Sequence, residues 1–165
     1  RVGLGESPRR RINGSWVGVP AIICGMRSPA GKVVAWHITM LREPGEKFCG
    51  DARRFCKRDG MKGSAIRLYP PGPTLIVAEG VETALALHTI EGDPAWAVSS
   101  AALLRSFEPP EGMRHLIIAG DNDASGAGQE AAWALYDRLQ SRLTCSVMIP
   151  DRENRDWLDE MRDGL

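Results

Sequence analysis

The sequence predicts an α/β fold in which a four-stranded parallel sheet flanked by helices follows a smaller β-hairpin-containing segment. Three observations predict it. From Thr74 onward, short apolar runs alternate with helical stretches, as in a parallel sheet built from βα units. Before that point, two β-branched runs flank a Pro/Gly turn between Pro20 and Met40. Between the two regions stands Pro70-Pro71-Gly72-Pro73, which we read as a boundary separating an N-terminal basic unit, 1–72, from a C-terminal unit, 73–165.

The elements follow in order. AIICGM and KVVAWHITML surround Ser28-Pro29-Ala30-Gly31, whose proline and glycine favour a reversal, and together they predict a hairpin. From Arg42 to Gly63 the chain is polar, basic and punctuated by glycine, and the short run AIRLY follows. TLIVAE predicts a buried strand, Val81 to Ile90 a helix, and AWAVSS a second strand. A short helix around Ala101 to Phe107 ends before Pro109-Pro110, and HLIIAG predicts the third strand. Ala127, Ala131, Leu135 and Leu139 recur every four residues along one face of a long helix. CSVMIP is the fourth strand, with a final helix around Trp157 to Met161.

Composition narrows the function classes. With 165 residues, 43% of them hydrophobic, the chain can bury a core. No apolar run approaches the roughly 18 residues of a membrane helix, and the first residues lack the regions of a signal peptide, so we expect a soluble, cytoplasmic protein. The lead-in from Arg1 through Arg9-Arg10-Arg11 has no clear periodicity and reads as part of a longer chain. Cys24, Cys49, Cys56 and Cys145 form no Cys-x-x-Cys pair and have no histidine at metal-ligand spacing, so reduced structural thiols are expected and no zinc is assigned. Net charge is zero, but unevenly spread. Residues 1–73 hold 14 Lys+Arg against 5 Asp+Glu, and residues 74–165 hold 7 against 16. A basic surface suited to an anion thus stands beside an acidic one suited to cations.

The acids carry the chemistry. The first strand of the C-terminal unit ends in Glu79-Gly80 and the third in Gly120-Asp121-Asn122-Asp123. Ligands of an open parallel sheet gather at the carboxyl ends of its strands, so these acids share a rim. Asp121 and Asp123 are two residues apart, and in extended chain their side chains point the same way. Magnesium suits such a pair, because it prefers hard oxygen ligands and is commonly held by one or two carboxylates plus substrate phosphates. Glu79 then supplies a further ligand, or a base for an attacking hydroxyl.

Other readings of these residues account for less. DNDASG opens like a calcium loop, but its twelfth position is Ala132 rather than the bidentate glutamate required. No Gly-Lys-Ser/Thr occurs, which excludes a phosphate loop of the nucleotide-hydrolysing kind. Glycines 120, 126 and 128 resemble a dinucleotide fingerprint, yet carboxylates there repel a pyrophosphate. Taken singly, Asp123 or Ser125 is an ordinary helix cap. Capping does not account for Glu79 and Asp121 together.

At these residues the sequence resembles the Toprim domain, a Rossmann-like fold shared by bacterial primases, topoisomerases and some nucleases. Its pattern is a Glu-Gly closing the first strand and a DxD closing the third with glycine shortly after, here Glu79-Gly80, Asp121-x-Asp123 and Gly126, and the resemblance runs from Thr74 to about Met161. LIVAEGVETALAL is most similar to the primases of phages, plasmids and other mobile elements. Thr83 stands where replicative bacterial primases have an aspartate, and Glu82, one position earlier, is the accessory acid nearest to it. Arg155-Asp156-Trp157-Leu158-Asp159 resembles the family's K-D-W-N-D segment, which makes Asp156 an additional acid near the metal.

The resemblance implies a Mg²⁺- or Mn²⁺-dependent primase that joins NTPs on a single-stranded DNA template, in company with a helicase domain or protein. Glu79, Asp121 and Asp123 would be catalytic, and with Asp156 would hold the metal. VPAIICGMRSPAGKVVAWHITML and MKGSAIRLYPPG resemble the basic subdomain that precedes Toprim in primases, which makes Arg53, Arg54, Lys57, Lys62 and Arg67 candidate contacts to template or nucleotide phosphates. His37, inside a strand, is read as a packed histidine. Two alternatives use the same residues: a Toprim nuclease that nicks DNA, and a non-catalytic module that binds nucleic acid or a helicase.

Overall fold

The structure, a computed structural model, describes residues 8–42, 46–47, 53–57 and 60–164. It opens with β1 (Arg9–Ile12) and β2 (Ser15–Gly18), an antiparallel hairpin turned at Asn13-Gly14. Both turn residues have positive φ, 49° and 84°, as a two-residue hairpin loop of this hand requires. β3 (Ala21–Arg27) and β4 (Val33–Arg42) then form the antiparallel pair expected around Ser28-Pro29-Ala30-Gly31. That turn closes through Gly31 N–H to the Ser28 carbonyl at 2.8 Å and Ser28 N–H to the Lys32 carbonyl at 2.9 Å.

The polar stretch after Arg42 is not all loop. β5 (Glu46–Lys47) and β6 (Arg53–Lys57) both pair antiparallel with β4. β4 is ten residues long and offers a second edge, so these two short charged stretches become strands chiefly by adding to it.

β7 (Ala65–Arg67), β8 (Thr74–Ala78), α1 (Val81–Glu91), β9 (Ala95–Ala97), α2 (Ala101–Arg105), β10 (His115–Ala119), α3 (Ala127–Leu139), β11 (Thr144–Met148) and α4 (Trp157–Gly164) complete the chain. β11, β10, β8 and β9 lie side by side and parallel, the four-stranded sheet the sequence predicts. The sheet does not stop at the prolines. β7 pairs antiparallel with both β9 and β3, so one sheet runs through both halves of the chain.

Alternation along the strands divides the core. Ile76, Ala78, Ile117 and Ala119 pack with Val81, Ala84 and Leu87 of α1 on one face. Leu75, Val77, Leu116 and Ile118 pack with Leu104, Phe107, Ala131 and Leu135 on the other, beneath α2 and α3. All of these side chains are buried, and at about 25 cal/mol per Å² of apolar surface removed from water they dominate the folding energy. The chain leaves β8 through α1 toward β9, then returns past β8 to reach β10. The direction of winding therefore reverses between β8 and β10, and a crevice opens at their carboxyl ends.

Candidate functional site

β8 and β10 are neighbours in register, Ala78 opposite Ala119, so Glu79-Gly80 and Gly120-Asp121 leave the sheet side by side at that crevice. Glu79 is half-buried, and its carbonyl accepts from Ser99 N–H at 2.7 Å. Gly80 is tightly packed. A Cβ at this position would stand 3.0 Å from the hydroxyl oxygen of Thr83, which is buried beneath it. The position where the replicative primases carry an acid is thus a packing position here. Burial, and then the charge of Glu82, push the Cys24 thiol above its ordinary pKa.

A second pair of glycines seats the DxD segment. A Cβ on Gly120 would meet the Gly128 carbonyl at 3.2 Å, and a Cβ on Gly128 would meet the Asp121 carbonyl and amide at 2.9 and 3.1 Å. The first turn of α3 therefore rests directly on the Asp121 backbone. Gly126, at φ 69°, takes the left-handed conformation that starts this helix.

Asp121, Asn122, Asp123, Asn154, Arg155, Asp156 and Asp159 line one open cleft of about 290 Å³. The structure thus brings together three of the four acids expected at the metal, Asp121, Asp123 and Asp156, and adds Asp159. Glu79 lies one strand away and does not line this cleft. The one cation lining it, Arg155, directs its guanidinium to Glu160, at 3.4 Å, and to Asp163.

Two of the acids also hold local backbone, Asp123 in the turn before α3, whose N-cap is Gly126, and Asp156 as the cap of α4. Asp123 Oδ1 accepts from Ser125 N–H at 2.8 Å and Ser125 O–H at 2.5 Å, and Asp156 Oδ1 accepts from Asp159 N–H at 2.9 Å. Each uses one oxygen of its carboxylate in this way. Trp157 ties the start of α4 to the rim, its Nε1–H donating to the Gly120 carbonyl at 3.2 Å.

Sequence reasoning missed the residue between the two aspartates. Asn122 Nδ2 donates to the Pro150 carbonyl at 2.8 Å, and its Oδ1 accepts from Gln129 Nε2 at 2.7 Å. Its backbone amide donates to the Arg155 carbonyl at 3.3 Å, and its carbonyl accepts from Asn154 N–H at 2.6 Å. Asn122 therefore clamps the segment carrying Asp156 onto the DxD turn. The only signal was its type, an amide that both donates and accepts where period-two alternation aims it away from its neighbours. Asn122→Ala strands the Pro150 carbonyl and the Gln129 amide, and a loss of about 1–3 kcal/mol is expected, seen as a thermal midpoint several degrees lower.

Among the described residues, no three His, Cys, Asp or Glu side chains form a ready-made metal cluster. The donor set of the cleft is nonetheless all oxygen, which fits a hard cation that keeps several waters and borrows the rest of its shell from phosphates.

The candidate phosphate contacts fall in different places. Lys62 is exposed, and the side chains of Arg53, Arg54 and Lys57 lie outside the described residues, as does Cys49. Arg67 acts as a bracket within the sheet: its guanidinium donates to the Ser28 and Pro29 carbonyls at 2.8 and 3.0 Å and lies over the Trp96 ring at 4.9 Å. Cys24, Cys56 and Cys145 are free thiols. No helix among the described residues is long and apolar enough to cross a membrane.

Solved primase structures share this architecture. The primase fragment of the bacteriophage T7 primase-helicase protein superposes with a TM-score of 0.63 at 16% identity, covering 94% of this chain and 61% of that one. A DNA primase domain from Pseudomonas aeruginosa gives 0.58 at 14% identity, covering 94% and 51%. A DnaG primase catalytic domain bound to single-stranded DNA gives 0.51 at 18% identity, covering 87% and 48%. The chain thus spans between about half and three fifths of the solved chains it matches. None of the curated proteins matches it. The family model for the Toprim domain matches residues 74–164, the stretch that holds the parallel sheet, the acidic cleft and the glycines that seat it. With more than half of its length so matched, the chain belongs to the Toprim domain family.

Proposed function

We propose that the chain is the catalytic core of a DNA primase, a Mg²⁺-dependent nucleotidyltransferase that joins NTPs on single-stranded DNA in the replication of a mobile element. The observation that carries this reading is the gathering of Asp121, Asp123, Asp156 and Asp159 on one cleft at the crevice where the sheet reverses its winding, with Glu79 on the adjoining strand end. Four carboxylates facing one arginine that is committed elsewhere make a negative potential that draws in cations. Asp121 and Asp123, supported by Asp156, would hold the ion. When bound, it would polarise a phosphoryl oxygen and offset the charge of the transition state. Glu79, on the β8 side of the crevice, would supply a further ligand or accept the proton of the attacking 3′-hydroxyl.

The basic half supplies the complementary surface. Arg53, Arg54, Lys57 and Lys62 belong to the β4–β6 side of the sheet or to the approach to β7, and are proposed to meet template or nucleotide phosphates. Arg67, already bonded to two carbonyls, serves that surface by holding the β3–β4 turn against β7. The single-stranded DNA bound to a DnaG catalytic domain and the helicase named with the T7 primase motivate the proposed template and helicase partners.

Oligonucleotide synthesis from NTPs on a single-stranded template tests the assignment. Wild type should synthesise short products with Mg²⁺ or Mn²⁺, while Asp121→Ala and Asp123→Ala should not. Equal synthesis by all three removes the acids from catalysis. Nicking of supercoiled plasmid without nucleotides assigns the nuclease instead, and metal-independent DNA binding without turnover assigns the binding module.

A further inference from the structure

We propose that His37 is a positioning residue for the acidic rim, acting from the basic half of the chain through Ser99. His37 lies in β4 and is buried, with 3% of its surface exposed. Both ring nitrogens are engaged: Nε2 with the Thr39 hydroxyl at 3.0 Å and Nδ1 with the Ser99 hydroxyl at 3.0 Å. Thr39 is itself buried, so the ring is held on one side by its own strand and reaches out with the other.

What it reaches is a residue in need of support. Ser99 follows β9 at φ 72°, in the left-handed region that an L side chain disfavours. Asn13 and Asn154 are the other non-glycine residues at positive φ among those described, and asparagine tolerates that region far better than serine does. From this conformation the Ser99 amide donates to the Glu79 carbonyl at 2.7 Å. The next residue, Ser100, already caps α2, so the backbone has no slack to recover this bond from another conformation. A continuous path thus runs from the ring of His37 to the hydroxyl of Ser99, and from the amide of Ser99 to the backbone of Glu79. Strained residues at functional rims persist only where their surroundings over-determine them, and His37 is the side chain that does so here.

The consequence for catalysis rests on the nucleotidyl-transfer reading, whereas the effect on Ser99 does not. Amide hydrogen exchange in the full chain, measured by NMR, tests the latter. The Ile76 amide, bonded to the Pro94 carbonyl at 2.8 Å, is the reference. His37→Ala should speed exchange at residue 99 by roughly tenfold or more while Ile76 keeps its protection, and Ser99→Ala should do the same. The kcat of nucleotide incorporation should fall by about tenfold in these variants, with KM for NTP nearly unchanged, as expected for a misplaced reacting group. Ser99→Gly in the His37→Ala background should restore both, because glycine holds the left-handed conformation unaided. Unchanged exchange at residue 99 in His37→Ala, an equal rise at Ile76, or no rescue by Ser99→Gly overturns the proposal. If wild type incorporates no nucleotide, the primase reading falls, while the exchange measurements still decide whether His37 positions the rim.

Discussion

Gly128→Ala should destabilise the protein by about 2–3 kcal/mol, lower its thermal midpoint by roughly 4–12 °C and weaken divalent-ion binding. Helix propensity alone predicts the opposite sign. In an ordinary helical position, glycine to alanine gains about 1 kcal/mol. Gly128, however, lies in the first turn of α3, where an added Cβ would stand 2.9 Å from the Asp121 carbonyl oxygen and 3.1 Å from its amide nitrogen. Both contacts are backbone, so neither can swing aside as a side chain can. Either α3 withdraws from the sheet, unpacking Ala131, Ala132 and Leu135, or the Asp121 turn is displaced from the cleft. Thermal unfolding gives the sign directly, and a stabilised variant would show that α3 does not press on Asp121.

Asp123→Asn should abolish most nucleotide incorporation, by about a hundredfold or more, while leaving stability nearly unchanged. The substitution separates the charge proposed to hold the metal from the turn that the same side chain closes with Ser125. Asp123 Oδ1 accepts from the amide and hydroxyl of Ser125 in the turn before α3, and asparagine closes such a turn onto the residue two positions on as aspartate does. The turn is therefore kept and the charge removed. Asp123→Ala loses both, and should give up about a further 1 kcal/mol of stability with the hydrogen bonds to Ser125. Full activity in Asp123→Asn alongside a destabilised Asp123→Ala would reduce Asp123 to a turn former.

These two experiments bear on features that were unevenly legible. The βα alternation after Thr74, the hairpin at Ser28-Pro29-Ala30-Gly31 and the four-residue period of α3 were readable, because each depends on local turn chemistry or on the period of one element. Asn13-Gly14 carried an equally local hairpin signal, masked by the arginine-rich run beside it. β5 and β6 gave no such signal. Glu46-Lys47 and Arg53-Arg54-Phe55-Cys56-Lys57 show no alternating apolar pattern, and they become strands because β4 presents a long edge for pairing, a tertiary effect.

At the site, the sequence showed that Glu79, Asp121 and Asp123 end strands on one rim, but not which strands adjoin. The order β11-β10-β8-β9, which puts the two strand ends side by side, is set by crossovers that no local pattern encodes. Asp156 was recognisable from its motif, and its arrival in the same cleft depends on Asn122, read in the sequence as an unspecified spacer. His37 read as a packed histidine, and it is one. Its bond to Ser99 joins residues 62 positions apart in sequence and was beyond any local reading.

A Mn²⁺ titration followed by electron paramagnetic resonance, on wild type and on an Asp121→Asn/Asp123→Asn variant, bears most directly on whether the rim of this sheet grips a divalent ion. Saturable binding by wild type, weakened by roughly a hundredfold or more when both charges are removed, is the expected result. Superimposable isotherms for the two proteins, or no binding by wild type, would contradict it.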